Sequence, residues 1–119
     1  MANSTFKIPL DPMGEAVPSK LIPSACFTTD SKEETTRPFY AEADGSVSAG
    51  IWECDPCRVD IDAYPVNEQM TIISGKLVLT NEEGVAETFG PGEVLFVSKG
   101  SKFNWHITER LQKYFMTSD

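Results

Sequence analysis

Residues 68–100 read EQMTIISGKLVLTNEEGVAETFGPGEVLFVSKG, and this stretch decides the fold. Short runs rich in β-branched and aromatic residues (Glu68–Ser74, Lys76–Thr80, Val85–Phe89 and Val94–Ser98) have the composition of strands. Turn signals cut them apart at Gly75, Asn81–Gly84, Gly90-Pro91-Gly92 and Lys99-Gly100. Gly75, Gly84, Gly92 and Gly100 recur every 8–9 residues, and no stretch sustains a helical period. Many short strands at that cadence predict an all-β antiparallel sandwich or barrel, in which Gly75 and Gly92 serve tight turns that need positive φ.

Working outward, Val47–Cys54, Arg58–Tyr64, Lys102–Ile107 and Gln112–Thr117 read as further strands. Upstream the texture changes. Pro9, Pro12, Pro18, Pro23 and Pro38, with a polar run from Thr28 to Arg37, predict mostly irregular chain. Short strands are expected near Ala25–Thr28 and Pro38–Glu42. The chain therefore divides into an N-terminal extension, 1–44, packing on the barrel or on a partner subunit, and a barrel, 45–119.

The chain has 119 residues, the size of one domain, with 10 Lys+Arg against 18 Asp+Glu and a net charge of −8. That balance argues against nucleic acid and against anionic membranes. The first residues lack the apolar core of a signal peptide, and the longest apolar run, Val94–Val97, is too short to span a bilayer. With three cysteines, Cys26, Cys54 and Cys57, this predicts reduced thiols in a cytoplasmic protein. Cys54 and Cys57 have strands rather than a helix around them, which disfavours an activated redox pair, and zinc would lack partners.

Alternation gives two strands a polar and an apolar face. Val59, Ile61 and Ala63 oppose Asp60, Asp62 and Tyr64, while Phe103, Trp105 and Ile107 oppose Lys102, Asn104 and His106. The only histidine, His106, is thereby placed off the inner face. Val94–Val97 is apolar throughout and reads as covered on both sides.

Glu68, six residues and Gly75, followed by Gly92, six residues and Lys99-Gly100, resemble the two signature motifs of the cupin superfamily. Gly50–Cys54, Tyr64, Glu68, Ser74-Gly75, Gly90–Glu93, Trp105 and Lys113-Tyr114 are similar to one group within it. That group comprises small single-domain DUF861-like cupins related to the cupin halves of (S)-ureidoglycine aminohydrolase. The resemblance implies a single antiparallel, RmlC-like jelly-roll barrel, often paired as a homodimer.

The usual metal ligands of that fold are histidines plus one glutamate, and here the histidines are missing. In the commoner motif spacing their places fall on Asp62, Tyr64 and Phe103; a spacing one residue longer puts Ile61 and Ala63 at the first two. Such a step reverses the faces of a strand. In the first register Asp62, Tyr64, Glu68, Met70, Ile72, Phe103 and Trp105 line the barrel, and Val59 and Ile61 point outward, needing cover from the N-terminal segment or a second subunit. The resemblance to ureidoglycine aminohydrolase carries its manganese positions onto Asp62, Tyr64, Glu68 and Asn104. Of these, only Asp62 and Glu68 are good ligands for a hard cation.

Three functions follow. The first is a cupin that binds a small molecule at Asp62, Tyr64, Glu68, Met70, Phe103 and Trp105, without a cofactor. The acidic balance points to a cationic or multiply hydroxylated ligand. The second is a metal-dependent hydrolase or isomerase with a divalent ion such as Mn on Asp62, Glu68 and Asn104. The third is a structural homodimer.

Overall fold

The computed structural model describes residues 17–18 and 34–119. Its elements are all strands: β1 Val17–Pro18, β2 Glu34–Ala41, β3 Val47–Cys54, β4 Cys57–Ile61, β5 Asn67–Asn81, β6 Ala86–Phe89, β7 Val94–Val97 and β8 Phe103–Ser118. Every pairing is antiparallel.

Two long strands organise the barrel. β5 and β8, of 15 and 16 residues, pair along most of their length. Their Asn81 and Phe103 ends carry β6 and β4, and their other ends carry β7 on one side and β3, β2 and β1 on the other. The inner faces of these two sheet halves bury Trp52, Cys54, Val59, Met70, Ile72, Leu77, Leu95, Trp105, Ile107 and Leu111 in one core.

Sequence punctuation divides each long strand in two, yet the structure joins the halves. Gly75 has φ +89°, and a Cβ there would lie 2.1 Å from the carbonyl oxygen of Arg110. The β5–β8 register shifts between Ile72 and Leu77, so Gly75 sits in a bulge where two backbones touch and both strands bend. This glycine serves a bend in a continuous strand, not a turn between two strands. On β8 the exposed residues Thr108, Glu109 and Arg110 form the outer side of the same bend. Their polarity marks exposure rather than a break in the strand. Gly92, at φ +86°, does occupy a tight connection between strands.

Other expectations change as well. In β7 only Leu95 and Val97 are buried, while Val94 is 58% and Phe96 63% exposed. Among the described residues this strand pairs with β5 alone and covers the core with one face. β2 extends through residues expected to be irregular, pairing with β3 from Glu34↔Cys54 to Ala41↔Ser48. The sheet thus begins upstream of residue 45. The strand expected at Ala25–Thr28 lies outside the described residues.

Candidate functional site

Glu68 stands near the start of β5, opposite Val97 of β7 and Thr117 of β8, and is buried. Each of its carboxylate oxygens has a partner. Tyr64 Oη donates to Oε1 at 2.7 Å, and Lys113 Nζ donates to Oε2 at 2.5 Å. The same ammonium lies 3.4 Å from Met70 Sδ and 4.9 Å from the ring centroids of both Trp52 and Trp105. Each indole is within cation–π range. The two rings pack edge to face at 6.0 Å. Trp52 Nε1 donates to buried Glu34 at 2.9 Å.

Local structure explains each placement. Trp52, Lys113 and Ile72 stand in one cross-strand row on β3, β8 and β5. Tyr64 belongs to no strand. Its backbone N–H donates to Ser101 O and its carbonyl accepts from Gly100 N–H, both at 2.8 Å, so the loop after β4 is tied to the loop before β8. Burial raises the Tyr64 phenol above its ordinary value, and the neighbouring Glu68 charge and hydrogen bond push it further the same way.

Two site residues expected from the sequence lie elsewhere. β4 sets Val59 opposite Trp105 and Ile61 opposite Phe103, so both apolar residues face inward. Val59 is fully buried and Ile61 packs on the core; no outward stripe forms there. Asp62 consequently lies on the exposed side, and a bend at Asp62-Ala63 brings Tyr64 back inside. Asn104 points away too, donating to Asp60 at 2.8 Å. Tyr64, Glu68, Met70, Phe103 and Trp105 all face the interior or its mouth. His106 stands opposite Arg58 and Val78 on the outer face, where partial burial and then the Arg58 charge lower its pKa.

Sequence reading overlooked Lys113, Trp52 and Glu34 as site residues. Lys113 was signalled by alternation, because Leu111 and Phe115 share its face and both are apolar. An inward lysine pairing with Glu68 also reverses the expectation of an acidic interior, since one ammonium balances the carboxylate.

A divalent metal does not fit this donor set. Glu68's oxygens are taken by a phenol and an ammonium, and an ion bound there would lie against Lys113. Hard cations need several oxygen donors, and neither Asp62 nor Asn104 converges on Glu68. No group of three or more His, Cys, Asp or Glu side chains able to hold a metal exists among the described residues. Cys54 and Cys57 are buried thiols whose sulfurs lie 3.8 Å apart, and the hydrogen bond between them, followed by burial, raises the Cys54 pKa.

The barrel mouth is an open cleft of about 430 Å³. Leu79, Phe89, Leu95, Val97 and Phe103 form its apolar wall, with Asn81, Glu87, Ser98, Ser101 and Lys102 among its polar groups. Phe103 links cleft and core, because its ring packs against Tyr64 at 5.6 Å.

A jelly-roll barrel with an inward glutamate near the start of one of its two long central strands has the form of a cupin. The EutQ-like cupin domain matches residues 41–115, more than half of the chain, and the protein belongs to that family. No curated protein sequence matches it. Among solved structures, it is similar to a DUF861 protein of unknown function from Pseudomonas syringae, with TM-score 0.83 and 21% identity over 92% of this chain. The chain spans about half, 46%, of that protein. It is similar to a putative ethanolamine utilization protein Q from Salmonella typhimurium, with TM-score 0.62 and 21% identity over 72% of this chain and 69% of that one. An acetylacetone dioxygenase from Acinetobacter johnsonii shares the fold at TM-score 0.70 and 16% identity, over 99% of this chain and 75% of that one. At these identities the likeness concerns the fold alone. No helix among the described residues is long and apolar enough to cross a membrane.

Proposed function

We propose that this cupin binds a small organic molecule in the cleft over Phe103, and that it does so without a divalent metal at Glu68. The supporting observation is the cleft itself: an apolar wall with a few polar groups, of a size that suits a small ligand, at the mouth of the barrel. Behind it the Tyr64–Glu68–Lys113 set is internally paired, so it stiffens the floor and leaves no free charge to attract an ion. Two buried, unoxidised thiols suit a reducing compartment, in keeping with a cytoplasmic protein.

The test is a thermal-shift screen against small polar metabolites, repeated on Phe103→Ala. A ligand that binds only the folded state raises the Tm by an amount that grows with the logarithm of its concentration over Kd. The reading expects at least one compound to stabilise the wild type and to lose most of that effect in the variant. A panel without any stabilising compound, or one acting equally on both proteins, contradicts it.

A further inference from the structure

Among the described residues one buried side-chain polar atom has no hydrogen-bond partner, Trp105 Nε1. The surroundings make this orphan informative. Trp52, the other indole of the same core, has its N–H held by Glu34. Tyr64, Glu68 and Lys113 are paired with one another. The fold therefore satisfies every polar group it uses for architecture at the barrel centre and leaves a single strong donor open. A buried donor without a partner carries its whole desolvation cost, so native proteins keep few of them.

The position of Trp105 indicates what such a donor serves. It is 3% exposed and lies two residues beyond Phe103 on the inner face of β8. Phe103 and Leu79 line the cleft, and Leu79 is also the cross-strand neighbour of Trp105. The indole thus stands one cross-strand position behind a wall residue of the cleft. Indole N–H donates and never accepts, so its complement must be an acceptor.

We propose that Trp105 Nε1 is the specificity-determining donor of the barrel, and that it takes the carbonyl or carboxylate oxygen of a small ligand entering past Phe103. This rests on the cleft being a ligand site. It adds the class of the ligand and the atom that reads it.

The experiment uses the two indole N–H resonances of the full chain in a ¹H–¹⁵N spectrum, with Trp52 as internal reference. The probes are acetamide, sodium acetate and methylammonium chloride, at matched ionic strength. Acetamide and acetate separate a neutral carbonyl from a carboxylate, while methylammonium has similar size but no acceptor. The expected result is a saturable shift of the Trp105 indole with acetamide, acetate or both, accompanied by the backbone amides of Ser101–Phe103, with Trp52 unmoved. Trp105→Phe, which keeps an apolar ring, should weaken that probe about fivefold as read at the same amides. If those amides saturate while the Trp105 indole stays still, or if Trp105→Phe binds as tightly, the inference fails and the cleft reading stands. A Trp105 shift with methylammonium alone overturns the acceptor assignment. If neither cleft nor indole responds to any probe, the inference fails, and the metabolite panel decides the cleft reading by itself.

Discussion

Lys113 is the residue on which the interior turns. Its ammonium lies between two indole faces and against one carboxylate, all of them buried. Removing one partner of such a pair leaves an uncompensated charge in the core, which costs about 3–5 kcal/mol. Lys113→Met should therefore lower the Tm sharply in a melting experiment. Lys113→Met combined with Glu68→Leu should recover most of the loss, because a well-packed apolar pair can replace a buried ion pair. A single variant as stable as the wild type would refute the arrangement. Tyr64 gives a pH-dependent counterpart. Its phenol is raised above the ordinary value of about 10. The folded state thus holds this proton more tightly than the unfolded one, and the resulting stability is complete below pH 10 and fades as pH rises above it. Alkaline melts should show a loss of stability in the wild type that is smaller in Tyr64→Phe; parallel curves would contradict this.

At the scale of elements, the cupin motifs made the barrel legible, and β3 matches its expected bounds. Strand joins were not legible, because Gly75 carries the same signal for a bulge as for a turn. What separates the two cases is the Arg110 carbonyl, 35 positions away, pressed against the glycine. Gly75→Ala should accordingly destabilise the protein far more than Gly84→Ala. Both place a side chain at positive φ, a strain of roughly 1–3 kcal/mol, but a Cβ at Gly84 meets nothing within 4 Å. Denaturant midpoints of the two variants decide the point, and equal losses would argue against the touching backbones. The register of β4 was similarly hidden. Two motif spacings were open, and what puts Val59 and Ile61 inside is their pairing with Trp105 and Phe103, contacts no local pattern reports. Lys113 escaped notice for another reason: a lysine within a strand suggests solvent, and the signal to the contrary lay in its neighbours Leu111 and Phe115.

For the molecule as a whole, burying Val59 and Ile61 removes the stripe that the sequence offered to a second copy. The outer sheet face instead exposes Phe96 (63%) and Met116 (55%), both placed opposite Gln69 on neighbouring strands. If the homodimer expected from the cupin resemblance forms, this is an apolar face that the described residues offer to it. Light scattering should then show a dimer in the wild type and a monomer in Phe96→Glu, whereas a dimer unaffected by that change would place the contact elsewhere. The central claim concerns the barrel interior, where a lysine ammonium stands against the one metal-ligand position that the sequence retains. Calorimetric titration of the apo protein with Mn²⁺, compared between the wild type and Glu68→Gln, tests it most directly. The account predicts no stoichiometric binding dependent on Glu68. One Mn²⁺ per chain, bound by the wild type and lost in Glu68→Gln, would contradict it.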